Sequence, residues 1–142
     1  ANFQVLEIKG TKVIFSAVRT VDTISEQHIT YDHLDVNLGS GFKTGSGTFT
    51  VCRPQEPKYR FTFSAQSGYV KFEHTVVYVK KNQRTIFKIG DYNNAADGDL
   101  NNLSYTWLMN LTKNDRVKLS SLHHLLANSD YPVTFTGELL HT

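Results

Sequence analysis

The stretch that decides the fold is YDHLDVNLGSGFKTGSGTF, from Tyr31 to Phe49. It places four glycines within nine residues, yet it also carries large aromatic side chains at Tyr31, Phe42 and Phe49. A flexible linker has no use for aromatic side chains at intervals, and an ordinary strand does not contain so much glycine. The combination predicts strands whose aromatic side chains enter a core, joined by turns in which glycine supplies a positive φ.

The overall composition indicates one folded domain and argues against several classes of function. The 142 residues are 39% hydrophobic, 20% charged and 12% aromatic, which is typical of a folded soluble protein rich in strands. No apolar run approaches the roughly 18 residues that a membrane span requires, and no signal peptide is visible, although Ala1 could follow a cleaved leader. The net charge is only +2, and the longest basic cluster, KKNQR, is explained better by an exposed hairpin turn than by nucleic-acid binding.

The residue types that carry out catalysis are not arranged for it. Cys52 is the only cysteine, which excludes an intrachain disulfide and a cysteine-rich zinc site; we expect a partly buried thiol, with an interchain bridge as the alternative. His123 and His124 are adjacent and would face apart on a strand, and no zinc-binding spacing occurs. The Gly-Ser pairs lack the Gly-x-Ser-x-Gly pattern of a catalytic serine. The sequence therefore predicts a protein that is not an enzyme and requires no cofactor.

Alternation with a period of two is the strongest structural signal. In YRFTFSA, Tyr59, Phe61 and Phe63 point to one face, and the residues between them are polar. The segments LSYTWLMNL (103–111) and VTFTGEL (133–139) repeat this pattern. Half-buried strands that alternate so cleanly are usually antiparallel.

Two segments, KVIFSAV (12–18) and FEHTVVYVKK (72–81), are apolar on both faces. Such strands must be covered on both sides, by a second sheet and, we expect, by another subunit. Frequent turn signals leave no room for regular helices, and only SLHHLLANSD (121–130) permits a short helical turn. The predicted architecture is an all-β, antiparallel jelly-roll β-sandwich.

Several motifs in a fixed order resemble the complement C1q globular head domain family. Tyr31, Asn37, Phe42 and Phe49, followed by YRFTF (59–63), resemble the aromatic signature of that family. The segments VYVKKN (77–82), MNLTKNDRVKL (109–119) and TFTGELL (134–140) are similar to its later strands and turns. There are departures, because Pro57 and Asn114 stand where the family has glycine. The resemblance covers roughly Val13 to Leu140.

The resemblance implies a jelly roll of the C1q and tumour necrosis factor superfamily that assembles as a homotrimer. It divides the chain into an N-terminal segment, 1–12, and a C1q-like domain, 13–142. No Gly-X-Y repeat precedes the domain, so a collagen stalk and a complement-initiating role are not expected. Stand-alone heads of this type are typically secreted, lectin-like recognition proteins of innate immunity that bind microbial polysaccharide or sialylated glycans. The alternatives are a cytokine-like ligand of the tumour necrosis factor kind and a structural protein of the extracellular matrix.

The loops hold the candidate binding residues. We expect ligand contacts in apical loops, with His123, His124, Asp130 and Tyr131 as candidates, because loops on a rigid sandwich carry specificity. The loop GDYNNAADGDLNN (90–102) is rich in the oxygen donors that calcium prefers, and its best ligand candidates are Asp97, Asp99 and Asn101. A polar, turn-rich loop without an ion is the favoured interpretation of the same residues.

Asn102-Leu103-Ser104 and Asn110-Leu111-Thr112 are N-glycosylation sequons. The two asparagines are eight residues apart, so one strand would place both on the polar face, away from Trp107. We therefore expect both to be available for glycosylation if the protein passes through a eukaryotic secretory pathway.

Overall fold

The structure, a computed structural model, describes residues 14–22, 27–39, 41–51, 58–67, 73–93, 101–121 and 125–140. Within these ranges the chain forms strands and turns only, as the alternation predicts. The strands are β1 (Ile14–Arg19), β2 (Gln27–His28), β3 (His33–Leu38), β4 (Phe42–Lys43), β5 (Thr48–Thr50), β6 (Lys58–Ser67), β7 (Glu73–Lys81), β8 (Arg84–Asn93), β9 (Asn101–Asn110), β10 (Arg116–Ser121), β11 (Leu125–Leu126) and β12 (Val133–Leu140).

The strands form two antiparallel sheets. In sheet A, β9 pairs with β6, β6 with β12, β12 with β1, and β1 with β3; the short β11 also pairs with β6. Sheet B has the order β4-β5-β10-β7-β8, and β2 pairs with β10. Strands close in sequence therefore alternate between sheets, which is the crossing pattern of a jelly roll. The predicted fold class is confirmed.

The core lies between the inner faces of the two sheets. Tyr59, Phe61 and Phe63 of β6 are buried, and the intervening residues are not, so the period-two prediction is confirmed. Phe15 lies at the centre of an aromatic cluster, with its ring centroid 4.5 Å from Phe42 and 5.0 Å from Phe135. Offset and edge-to-face ring contacts of this kind stabilise a core beyond the area they bury.

The glycine-rich stretch contributes both anchors and turns. Tyr31, Phe42 and Phe49 are at most 5% exposed and belong to the core. Gly39 and Gly47 adopt positive φ values of 88° and 66°, which an L-residue rarely adopts. The side chain of Asn37, the polar residue of the family signature, donates a hydrogen bond to the carbonyl of Phe42 at 3.4 Å and so joins β3 to β4.

The predicted hairpin in KKNQR is present, whereas the short helical turn that the sequence permits at 121–130 does not form in the part that the structure describes. Asn82 and Gln83 connect β7 to β8 with φ values of 53° and 70°, the left-handed backbone of a tight two-residue turn. Leu125–Leu126, by contrast, is strand β11 and pairs with Gln66 and Ser67 of β6. A local helical pattern is overridden because this pairing buries Leu125 completely.

Some sequence expectations fall outside the described residues. These include the segment 1–12, Cys52, Pro57 and Phe72, so the division into 1–12 and 13–142 stays a prediction. On β7, Val77 and Val79 are fully buried in the core. Tyr78 points to the opposite face, where the ammonium of Lys88 lies 5.5 Å from its ring centroid.

Candidate recognition and assembly surfaces

One end of the sandwich gathers several connections, and we call residues 19–22, 30–32 and 127–132 of this end the loop end. Arg19 of β1 pairs with Val133 of β12, which places the turns after β1 and before β12 side by side. Ser67 of β6 pairs with both Asn101 and Leu125, so β9 begins and β11 lies at the same end. The sheet topology therefore brings distant segments of the chain together on one rigid base.

Arg19 and Asp22 join the segments of the loop end. The Arg19 guanidinium donates to the Asp22 carbonyl at 2.7 Å and to the carbonyl and hydroxyl of Thr30 at 3.2 and 2.9 Å. The Asp22 carboxylate in turn accepts the backbone N–H of Ala127 at 2.9 Å. Charged hydrogen bonds of this kind fix the relative positions of three loop segments.

A second carboxylate, Asp32, closes the turn after β1. It accepts hydrogen bonds from the backbone N–H of Thr20 at 2.9 Å and from the Thr20 hydroxyl at 2.8 Å. Burial by itself raises the pKa of Asp32, but the two hydrogen bonds and the positive charges of His33 and Arg19 outweigh it and hold that pKa below its usual range. Asp32 is therefore an anion that stabilises the loop end.

The structure places two of the four predicted ligand residues, Asp130 and Tyr131, in an ordered and exposed turn of the loop end. The side-chain oxygen of Asn128 accepts the backbone N–H groups of Asp130 and Tyr131, each at 2.8 Å. This is a turn in which an asparagine side chain replaces a backbone acceptor. Tyr131 is 60% exposed. The other two predicted residues, His123 and His124, lie outside the described residues.

The calcium candidates are not tested by the described residues. Asp97 and Asp99 lie outside them, as does the side chain of Asn101, the first residue of β9. No group of three or more histidine, cysteine or carboxylate side chains within the described ranges is arranged to hold a metal ion. The calcium site stays a prediction.

The two sequons lie at opposite ends of β9. Asn110 is exposed, and Trp107, on the other face of the strand, is only 7% exposed. Strand alternation places Asn102 at a position equivalent to Asn110, although its side chain is outside the described set. Glycosylation of Asn102 and Asn110 stays a prediction.

The sandwich has an apolar edge that the sequence analysis did not predict. Strands β8 and β9 are edge strands of sheets B and A, and Phe87 and Trp107 join them with ring centroids 5.3 Å apart. Three large apolar side chains remain exposed there: Ile86 at 50%, Tyr105 at 48% and Leu108 at 64%. We call these three residues the edge patch. A leucine at position 108, among serine, threonine and asparagine on the polar face of β9, was the sequence signal for it.

Trp107 adds a second observation at this edge. Its indole N–H is buried and has no hydrogen-bond partner in the part of the chain that the structure describes. Buried indole N–H groups usually find an acceptor. Exposed apolar side chains on edge strands next to an unpaired donor are typical of a surface that another chain covers.

Within the described ranges, the chain has no helix that is long and apolar enough to cross a membrane.

Comparisons with known proteins agree with this architecture. The family model described as C1q domain matches residues 14–140. A search of curated proteins gives no match. Among solved structures, the globular domain of zebrafish complement 1qA protein is similar, with a TM-score of 0.71, 19% identity, and coverage of 91% of this chain and 98% of that one.

Two further solved structures have a similar fold. Murine APRIL at pH 5.0 has a TM-score of 0.69 at 14% identity, with coverage of 92% of this chain and 100% of that one. Eiger TNF from S. frugiperda has a TM-score of 0.63 at 10% identity, with coverage of 92% and 93%. Identities this low show the fold alone, whereas the family model matches nearly the whole chain. The chain belongs to the C1q domain family.

Proposed function

We propose that this chain is a secreted, non-enzymatic recognition protein of innate immunity that assembles as a homotrimer and binds microbial or other glycan surfaces in a lectin-like manner. The observation that carries the proposal is the edge patch on a member of the C1q domain family. Proteins with this type of fold typically form trimers and are typically extracellular. The proposal therefore explains the exposed apolar edge as a subunit contact.

The geometry of the edge patch favours contact with a different surface of a second copy. Tyr105 lies on the core-facing side of β9, at the edge of the sandwich, whereas Leu108 shares the outer face of sheet A with small polar side chains such as Thr62 and Thr106, whose hydroxyls lie 3.0 Å apart. An edge placed against the flat face of the next copy makes a head-to-tail contact, and such contacts close into a ring when the rotation permits. A ring of three would cover every edge patch.

The ligand is proposed to bind at the loop end, which such a ring leaves accessible at one end of the assembly. Tyr131 offers a flat, exposed ring for the C–H face of a sugar, and the neighbouring Asp130 offers acceptors for sugar hydroxyls. His123 and His124 remain candidates beside them. A calcium ion held by Asp97, Asp99 and Asn101 would add a further contact, but the proposal does not require one.

A glycan array tests the lectin part of this proposal. We expect binding to bacterial polysaccharides or sialylated glycans, measured with and without calcium. Replacing Tyr131→Ala should weaken the strongest signals by roughly tenfold or more, because it removes an exposed contact residue and leaves the Asn128 turn in place. Leu38→Ala, at an apolar residue of β3 that is 42% exposed, serves as the control. No binding to any glycan at any calcium concentration would refute the lectin proposal.

A cytokine-like ligand for a cell receptor is the second candidate function. It is favoured by the likeness to Eiger TNF, which covers 92% of this chain. Binding to host cells that is blocked by a soluble receptor ectodomain and indifferent to sugars would support this candidate over the lectin. Accumulation in matrix without binding to cells or sugars would instead indicate a structural extracellular protein.

A further inference from the structure

The outer face of sheet B concentrates positive charge that is dispersed in the sequence. On β10, Val117 and Leu119 are fully buried, so the alternating Arg116 and Lys118 point outward. The same alternation places further lysines outward on the neighbouring strands, one each on β4, β7 and β8: Lys43, Lys80 and Lys88. The chain as a whole carries a net charge of only +2.

Strand register arranges three of these lysines in a row across the sheet. Lys43 pairs with Thr48 of β5, and Lys118 pairs directly with Lys80. Because Thr50 opposes Arg116, the same register places Thr48 opposite Lys118. With strands about 4.8 Å apart, the row from Lys43 to Lys80 crosses three strand spacings, roughly 14 Å.

A cleft of about 320 Å³ opens on this face next to the β7–β8 turn. Its charged lining residues are Lys43, Arg116 and Lys118, and the rest of its lining consists of hydroxyl and amide side chains. No carboxylate from the described part of the chain lines it. The volume is at the lower end of the range for ligand sites.

Asn82 makes the cleft rigid. Its backbone N–H donates to the Arg116 carbonyl at 2.8 Å, and its side-chain oxygen accepts the Arg116 N–H at 2.9 Å. Its side-chain amide also donates to Asp115 at 2.9 Å. The turn is therefore fastened to β10, which fixes the backbone that carries Arg116 before any ligand binds.

The five cations of this face are not paired with acidic residues in the described part of the chain. Among the described residues, none of them lies within ion-pair distance of a carboxylate. Acidic residues are paired elsewhere instead: Glu138 with Arg60 on sheet A, and Asp115 with Lys81, 3.8 Å apart. The positive potential of this face is therefore not neutralised from within the described part of the chain.

The row of lysines destabilises the protein when no ligand is bound. Like charges directly opposite each other on neighbouring strands are destabilising, and Lys118 faces Lys80 in this way. His28, which pairs with Ser120 at the side of this row, has a lowered pKa because of burial and then because of the positive charges of Lys118 and Lys80. An anion bound across the row would relieve this repulsion.

We propose that the outer face of sheet B is a second binding site, specific for acidic polysaccharides, in which the row Lys43–Lys118–Lys80 and Arg116 hold successive anionic groups of an extended chain. The hydroxyl and amide side chains of the cleft, including Ser46, Thr48 and Gln83, are suited to sugar hydroxyls. None of the described residues that line the cleft is aromatic, so these residues offer no stacking platform of the kind that single-stranded nucleic acids use. Sulfated glycans and carboxylated microbial polysaccharides share the required chemistry.

This inference deepens the proposed function, because it names an acidic ligand class and gives it a site away from the loop end. It does not depend on the loop end: loss of glycan binding on replacing Tyr131 would leave this site unaffected. The site lies within one chain and does not require the trimer.

Binding of dextran sulfate to the full chain, compared with neutral dextran of equal length, tests the site. Polysialic acid is the carboxylated probe, and single-stranded DNA is the nucleic-acid probe. The variant is Lys43→Gln with Lys118→Gln. Its control is Lys58→Gln with Lys113→Gln, which removes two exposed lysines outside the cleft. Affinity is measured by calorimetry over a range of salt concentrations, and folding is checked by thermal unfolding.

We expect the wild type to bind dextran sulfate, with affinity falling as salt rises, and to bind neutral dextran weakly or not at all. The cleft variant should bind dextran sulfate roughly tenfold more weakly, and the control variant less than about threefold. The cleft variant should also unfold at the same or a higher temperature than the wild type, because it removes the Lys118–Lys80 repulsion. A purely structural role for these lysines predicts the opposite shift.

Three results would overturn the inference: equal loss of affinity in both variants, equal affinity for dextran and dextran sulfate, or tighter binding of single-stranded DNA than of either acidic polysaccharide. Binding of polysialic acid without dextran sulfate, or the reverse, would identify which anionic group the site selects. If the wild type binds neither acidic probe but binds neutral glycans on the array, this inference fails and the loop-end proposal stands.

Discussion

Gly137 is the position at which the packing of the core can be tested most sharply. It lies on the inner face of β12, in the strand TFTGELL, and its φ is not positive, so the backbone itself tolerates alanine. A Cβ atom at this position would lie 2.3 Å from Cε2 of Phe15, 2.8 Å from its Cζ and 2.9 Å from Cδ1 of Phe61. These distances are far below van der Waals contact, so Gly137→Ala requires a ring to move.

The rings have little room to move. Phe15 is 1% exposed and is held by stacked, tilted or edge contacts with four other rings, and Phe61 is fully buried. Overpacking of a well-packed core costs about 1–3 kcal/mol. We expect Gly137→Ala to lie at the upper end, about 3 kcal/mol, which lowers the Tm of a domain of this size by roughly 10 °C.

The control is Gly45→Ala. Nothing lies within 4 Å of a Cβ at Gly45, and its φ is not positive, so this change measures only the entropy effect of replacing glycine in the unfolded chain. A double variant, Gly137→Ala with Phe15→Leu, tests whether the cost arises from the contact with Phe15. Phe15→Leu removes the ring atoms that the new Cβ would meet, and so should reduce the cost of Gly137→Ala by about 1–2 kcal/mol.

The assay is urea unfolding at one fixed protein concentration, because assembly makes apparent stability depend on concentration. Gly137→Ala must lose clearly more free energy of unfolding than Gly45→Ala, and the cost must shrink in the Phe15→Leu background. If Gly137→Ala and Gly45→Ala are equally stable, or if the two core changes simply add, the packing described around Phe15 is wrong.

Two further predictions concern a turn and a modification. Asp115→Ala should lower the free energy of unfolding by about 1–2 kcal/mol at pH 7, because the carboxylate accepts hydrogen bonds from the Thr112 N–H and hydroxyl and from the Asn82 amide. The hydrogen bonds from the Thr112 N–H and then from the Asn82 amide hold the pKa of Asp115 below its usual 3.8. The stabilisation is therefore present above about pH 4 and is lost as the pH falls through the lowered pKa. In urea titrations at several pH values, the free energy of unfolding of the variant should fall less steeply with decreasing pH than that of the wild type. Asn110→Gln, in protein secreted from eukaryotic cells, should remove one glycosidase-sensitive step in gel mobility, and an unchanged mobility would show that this sequon is not used.

The fold could be predicted from the sequence because its strongest signals are local. Period-two alternation needs only neighbouring residues, and the aromatic anchors Tyr31, Phe42 and Phe49 are spaced by the turns between them. Leu125–Leu126 shows the limit of this reasoning. Its helical spacing is local, whereas the strand that it forms depends on pairing with Gln66 and Ser67, far away in the chain.

The surfaces were harder to predict from the sequence, because they depend on which strands become neighbours. Lys43, Lys80 and Lys118 form no cluster in the sequence, and only the order β4-β5-β10-β7 makes them a row. Phe87 likewise meets Tyr105 and Trp107 only because β8 and β9 are neighbouring edge strands of different sheets. The predicted loop residues Asp130 and Tyr131, by contrast, lie next to a turn signal that the sequence displays directly.

The molecular mass in dilute solution tests the central claim, that this chain works as a trimer assembled through its edge patch. Sedimentation equilibrium of unglycosylated protein should give three times the chain mass of 16.1 kDa. Leu108→Glu, which places a charge in the edge patch, should give the monomer mass, while Val21→Glu, at a residue 53% exposed outside the patch, should leave the trimer intact. A wild-type mass of one chain, or a Leu108→Glu variant that remains a trimer, would contradict the account.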